Sequence, residues 1–323
     1  MQLDSPVRQA VRSRYRLLAG AALLLLATGI FHDYRQGIHY LWGQNPKFGL
    51  AEMVSFTAYR PFVFRVLVPA LIRLAGLVLP LPAQSLALGI MYVSLLAFVI
   101  GFRRLYAAFW PPSLLMDLAS ATSLIGLPFL LRHHKQLYDF TTLFLFTLAL
   151  ALLAEKRYRA YLILFPIACL NRETTALLIP VFALRAYSTV DRKTYIRGLV
   201  LQIVCFLAIR LSLTWLFRDN PGAAVEIHWP DFLVAARSDP GYFVGLGLSG
   251  LVVIALMLWG WTEKPDLLRK AAMVVVPVEV LAYFVIGVPH EMRFFIEAYP
   301  IVLLLVYPSL CRLVGSRLPP ARP

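Results

Sequence analysis

Five short polar runs carry the residue types from which a chemical site is built: His32-Asp33-Tyr34-Arg35, Tyr59-Arg60-Pro61-Phe62-Val63-Phe64-Arg65, Arg132-His133-His134-Lys135-Gln136-Leu137-Tyr138-Asp139, Asn171-Arg172-Glu173-Thr174 and His290-Glu291-Met292-Arg293. A carboxylate such as Asp33 or Asp139 acts as a general base when a hydroxyl comes within hydrogen-bond reach. The guanidinium groups of Arg65, Arg172 and Arg293 suit bidentate binding of phosphate. Glu173, His290 and Glu291 stand beside them in the same runs and complete the candidate substrate-binding set. Arg172 and Glu173 are adjacent, so on a helix they point about 100° apart and need separate partners. His133 and His134 are consecutive, which makes it hard for both to face one metal. No cofactor is required by these residues, and a divalent metal is compatible with them but not indicated. Asp117 and Glu279 lie inside apolar stretches, where an acid is a functional candidate by default; Glu279 is expected to be neutral or paired with Arg210.

The elements that hold these runs follow from composition. Hydrophobic residues make up 60% of the 323-residue chain and charged residues 15%, against about a quarter charged in an average soluble domain. The apolar residues come in blocks such as Leu199–Leu216 and Tyr299–Leu310. A bilayer core of about 30 Å calls for blocks near twenty residues, and inside lipid the backbone must satisfy its own hydrogen bonds, so the blocks read as helices. The expected fold class is all-α: a polytopic membrane helical bundle of about ten spans forming one membrane domain over 1–323, without internal repeat or low-complexity tract. The spans are placed at 17–31, 84–102, 112–131, 139–154, 159–170, 173–186, 196–216, 241–260, 271–288 and 295–313. The fifth and sixth are too short to cross independently and read as a hairpin that dips across and returns. The segment Pro61–Pro80 carries Arg65 and Arg73 between prolines and reads as a helix at the membrane interface. Arg8, Arg12, Arg14 and Arg16 precede the first apolar run, and no small-x-small cleavage site follows it, so it is expected to stay as an uncleaved span. Cys169, Cys205 and Cys311 are scattered through apolar segments and read as small core residues.

Lys and Arg concentrate in the segments this topology assigns to the cytoplasm, so both termini are expected there, in a multi-pass protein of the cell membrane. The formal charge of +14 then belongs to the cytoplasmic face, as a topology signal and a contact with anionic lipid rather than a nucleic-acid surface. With this orientation all five polar runs fall on the extracytoplasmic rim. They predict a cavity opening outward, beside an amphipathic helix able to admit a long lipid tail. Such parts describe a site for a lipid-phosphate substrate at the membrane surface.

The order of these features resembles the GT-C superfamily of membrane glycosyltransferases. The resemblance is carried by Asp33 after the first span, the interfacial segment around 61–80, Asp139 in the next outer loop and the hairpin with its polar tip Asn171–Thr174. Glu291-Met292-Arg293-Phe294-Phe295 followed by Pro300 is similar to bacterial members as well. It implies inverting transfer of a sugar from a polyprenyl-phosphate carrier to an acceptor on the extracytoplasmic face, metal-optional, with a carboxylate as base and arginines on the carrier phosphate. This chain has only His32-Asp33 where better-known members carry an acidic pair, which leaves the base open between Asp33 and Asp139; it is also short, and no C-terminal soluble domain is expected. The implied partners are a polyprenyl-phosphate-linked sugar and membrane lipid, with no nucleic acid. Two other classes compete: a transporter or flippase for a lipid-linked or anionic solute, expected to have repeated halves and broken helices, and a noncatalytic cell-envelope scaffold. Gly247-Leu248-Ser249-Gly250 is similar to the serine motif of rhomboid-type intramembrane proteases, but the late His290 lies at a loop, not at the depth of Ser249; close helix packing explains the glycines and serine.

Overall fold

The computed structural model describes residues 6–45, 47–133, 135–316, 318–319 and 321. His134 of the third polar run and the chain termini lie outside the described residues. All regular structure among the described residues is helical. The first half comprises α1 (Pro6–Gln44), α2 (Leu50–Ser55), α3 (Leu67–Val78), α4 (Ala83–Phe109), α5 (Leu114–Ile125), α6 (Leu127–Leu130) and α7 (Asp139–Ala154). The second comprises α8 (Tyr158–Asn171), α9 (Leu178–Ala186), α10 (Arg192–Leu216), α11 (Trp229–Ser238), α12 (Pro240–Leu258), α13 (Asp266–Ile286) and α14 (Ala298–Leu313).

Helix α7 is the centre. Its apolar side chains Phe140, Leu143, Phe146, Leu150 and Leu153 are buried, and so are Thr141, Thr142 and Thr147. It packs most extensively on α4 and next on α8. Small polar side chains knit these helices: Ser94 Oγ lies 2.9 Å from Thr141 Oγ1, and Asn171 Nδ2 donates to Thr142 Oγ1 at 2.8 Å. Segments α8 and α9 form the two legs of an antiparallel hairpin. The Tyr161 and Phe182 rings stack across it with centroids 5.5 Å apart, and Tyr158 bonds Thr189 near its open end. A Cβ on Gly198 of α10 would come within 2.7 Å of the Phe182 ring, so only glycine lets α10 close on the hairpin. Tyr161 then donates to Gln202 Oε1 of α10 at 2.6 Å. The tip, Arg172 and the 3₁₀ turn Glu173–Leu177, stands outside both legs.

Several boundaries differ from the sequence expectation. The first span does not stop at Phe31: α1 continues to Gln44 because no proline interrupts the chain before residue 46. Asp33 is therefore an interior helix residue rather than a loop residue. The expected span 112–131 breaks at Gly126, and Pro128 sits in the first turn of α6, where a missing N–H costs nothing. The interfacial segment contains a 3₁₀ turn at Phe62–Phe64 before α3, so Arg65 lies in a tight turn ahead of the helix.

Four described helices are long and apolar enough to cross a membrane: Leu17–Ile38, Ala83–Phe109, Arg192–Leu216 and Pro240–Leu258. The apolar helices Leu67–Val78, Leu114–Leu130, Asp139–Ala154, Tyr158–Asn171 and Ala298–Leu313 are shorter. The outer surface is apolar over wide areas, with Leu17, Leu25, Leu77, Leu211 and Trp215 among its exposed side chains, a surface that suits hydrocarbon rather than water. Ion pairs sort to the two ends of the bundle. Arg103–Asp117, Arg104–Glu155 and Arg312–Glu263 lie at one end, while Arg65–Glu173, Arg172–Glu297 and Arg293–Asp139 lie at the other.

Candidate functional site

All five polar runs contribute side chains to a buried network at the second of these ends, the first of them through Tyr34. Asp139, the first residue of α7, is fully buried. Its Oδ2 accepts hydrogen bonds from the Tyr34 hydroxyl of α1 and from the Gln136 N–H, both at 2.8 Å. Its Oδ1 accepts from Arg293 Nη1 at 3.2 Å. Arg293 sits in a 3₁₀ turn just before α14, and its other branch pairs with Glu291 Oε1 at 2.5 Å. Glu291 Oε2 also accepts from the Val288 N–H at 3.3 Å. One arginine thus ties the carboxylates of two distant runs together.

A second pair lies nearby. Arg65 Nη2 donates to Glu173 Oε1 at 2.9 Å, and its guanidinium lies 4.5 Å above the Tyr138 ring and 5.5 Å from that of Phe62. Because Tyr138 precedes Asp139, this stacking links the pair to the Asp139 network. Arg172 is the third member: its Nη1 is 3.5 Å from Glu297 Oε2, and Glu297 also accepts from Thr174. As sequence adjacency required, Arg172 and Glu173 find separate partners. Arg65 is within electrostatic reach of both Arg172 and Arg293. Burial pushes the Glu173 carboxyl up, but Arg65, with Arg210 and Arg172 behind it, outweighs this and holds it at about 2. Buried N–H donors without a hydrogen bond remain at Arg65 Nη1, Arg172 Nε and Arg293 Nε, while Arg172 Nη1 has only its long ion pair with Glu297 Oε2. Buried donors are nearly always satisfied in folded proteins, so a group of orphaned guanidinium donors calls for an acceptor.

Asp33 stands apart from this core. Tyr34 turns inward and Asp33, the next residue on the helix, turns out; its side chain is 70% exposed and its Oδ2 lies 3.8 Å from Lys135 Nζ. The same lysine donates to the Asp33 backbone carbonyl at 3.3 Å, so the segment before Asp139 leans on α1 beside Asp33. His290 occupies the left-handed region with φ of 71°, its ring 4.0 Å from Tyr242 and 6.5 Å from His133. Burial, with Arg132 and His290 nearby, lowers the His133 imidazole below its usual range. Among the described residues no three His, Cys, Asp or Glu side chains gather into a metal-holding group.

Sequence reasoning missed Glu297, Tyr34 and Tyr138 as members of the site. Tyr34 and Tyr138 were inside polar runs already marked, next to the acids they support. Glu297 sits where a polar run passes into an apolar helix, which disguised it as a helix-start residue. Glu279 does not pair with Arg210; its Oε2 accepts from the Ala298 N–H at 3.2 Å, beside Glu297. Of the rim side chains, Arg65, Asp139, Arg172, Glu291 and Arg293 are buried, while Asp33 and part of Glu173 are exposed. A cavity of about 820 Å³ lies at the opposite end, lined by Trp110, Trp259, Lys264 and Arg312 among others. No protein-family model, curated protein or solved structure matches this chain.

Proposed function

We propose that the chain is a multi-span membrane glycosyltransferase of the GT-C type, with about ten crossings and both termini in the cytoplasm of a cell-membrane protein. It moves a sugar from a polyprenyl-phosphate carrier to an acceptor hydroxyl at the extracytoplasmic face. One observation carries this reading: Arg65, Arg172 and Arg293, buried and from three separate elements, gather at one end of the bundle with unpartnered N–H donors. A phosphate offers the oxygens those donors lack, and arginine's fork geometry matches it.

In this reading Arg65, Arg172 and Arg293 hold the carrier phosphate. A carboxylate takes the proton of the acceptor hydroxyl while its oxygen bonds to the anomeric carbon. The bond from that carbon to the carrier phosphate breaks, its electron pair leaves on the phosphate, and the guanidinium donors stabilise the charge that develops. A single displacement of this kind inverts the anomeric configuration. Asp33 is the base we assign. Both oxygens of Asp139 already accept hydrogen bonds, and Glu173 and Glu291 are engaged by arginines, whereas the Asp33 carboxylate is exposed and, among the described residues, faces Lys135 at 3.8 Å. Asp139 is the alternative, reached by displacing one of its donors. No metal is assigned a role.

The test is binding of a polyprenyl-phosphate sugar in proteoliposomes, followed by transfer. Arg65→Gln and Arg172→Gln should each weaken carrier binding about tenfold or more, one charge-assisted contact each. Wild-type binding in both variants would refute the reading. A second reading, solute transport, draws on the buried Glu279 beside Pro277 in α13; movement of the carrier across the bilayer without covalent change would favour it.

A further inference from the structure

Resting on the carrier-phosphate reading, the geometry points to Arg210 as the residue at which the phosphate of a membrane-embedded polyprenyl lipid enters, through the seam between α10 and the Phe62–Arg65 turn. Helix α10 is apolar and largely bare: only 11% of its most hydrophobic window is buried. Its buried stripe is formed by Gly198, Gln202 and Leu213, continued by Phe217. Arg210 lies at the margin of that stripe, half-buried, where the packed face of α10 gives way to its bare face. No carboxylate pairs with it among the described residues. Its guanidinium rests instead over the Phe64 ring at 4.9 Å, and Phe64 is the chain neighbour of Arg65, which grips Glu173.

Glu173 is within electrostatic reach of Arg210 but forms no ion pair with it. Arg210 precedes the end of α10 at Leu216 by six residues, about 9 Å of helix rise, so it sits within the apolar belt near the rim. An arginine on a bilayer-facing helix ordinarily snorkels to the nearer interface. Here the guanidinium lies over the Phe64 ring, against the Phe62–Arg65 turn. An anionic group arriving within the bilayer plane meets Arg210 first and the unpartnered donors of Arg65 and Arg172 next. A long-chain lipid phosphate takes this route; a water-soluble phosphate reaches the same donors from the rim and does not need it.

The experiment uses the full chain in nanodiscs with three probes: a long-chain polyprenyl phosphate in the bilayer, soluble citronellyl phosphate, and inorganic phosphate. For Arg210→Gln we expect binding of the long-chain probe about tenfold weaker, the loss of one charge-assisted contact, with the two soluble probes unchanged. Arg210→Lys keeps the charge and should recover most of the long-chain binding, and Arg172→Gln should weaken all three. Unchanged long-chain binding in Arg210→Gln, with Arg172→Gln impaired, overturns the entry role and leaves the phosphate site standing. Equal loss of all three probes in Arg210→Gln overturns the seam as a route and makes Arg210 a member of the cradle itself. If neither Arg210→Gln nor Arg172→Gln changes any probe, the phosphate site and the entry role fall together.

Discussion

Replacing Glu173 by glutamine removes one charge while keeping the shape of the hairpin tip. The folded chain holds the Glu173 carboxyl at about 2 against an ordinary 4.5, with Arg65 as the main source of the lowering against burial. At about 1.4 kcal/mol per pH unit this gap corresponds to about 3 kcal/mol of folded-state stabilisation. That figure is an upper bound, because the side chain keeps 30% of its surface exposed and solvent screens the pair. A depressed carboxyl contributes stability that is fully present above 4.5 and is lost as the pH falls through 2. Thermal unfolding of the purified protein in detergent, followed from pH 7 to pH 2, reads this directly. At about 2 °C per kcal/mol, Glu173→Gln should lower Tm measurably, by at most about 6 °C, at pH 7. The difference from wild type should then close between pH 4.5 and 2, where wild type loses the same contribution. If the variant unfolds within a degree of wild type at pH 7 and the two curves run parallel through the acid range, the Arg65–Glu173 pair does not stabilise the tip and the reasoning is wrong.

Arg293→Gln leaves Asp139 and Glu291 without their shared cation, so it should cost about 3–5 kcal/mol, and adding Asp139→Asn should restore part of that in a double-mutant cycle of unfolding measurements. Asp33→Asn should reduce transfer from a polyprenyl-phosphate sugar by about 10²–10⁴-fold with carrier binding unchanged; full turnover in Asp33→Asn together with loss in Asp139→Asn moves the base to Asp139. Lys264 donates to the Leu256 and Met257 carbonyls at the end of α12, at 2.7 Å each, and to Ser309 Oγ at 3.0 Å. Lys264→Met should therefore destabilise by about 2 kcal/mol while leaving carrier binding intact, and impaired binding in a stable variant would contradict the assignment of function to the opposite end. A cysteine introduced at position 191 should resist impermeant thiol reagent in intact cells, whereas one at position 219 should react; labelling at 191 would overturn the topology.

What the sequence determined by itself were the helical class, the polar runs and the charge asymmetry between the loops. Apolar blocks near bilayer length leave the backbone no alternative to helix, and charge asymmetry between successive loops is a local property, readable without coordinates. The same locality explains why Arg172 and Glu173 had to part company. Tertiary packing alone decided the partners. Asp139 and Arg293 are 154 residues apart and Arg65 and Glu173 are 108 apart, and no periodicity in the chain encodes which cation meets which acid. It also decided that Tyr34 rather than Asp33 turns into the core, since neighbours on a helix face different ways and only the position of α7 selects one of them. Arg210 shows the division most plainly: in sequence it is a lone charge within an apolar run, and only the packing of α10 carries its side chain onto Phe64.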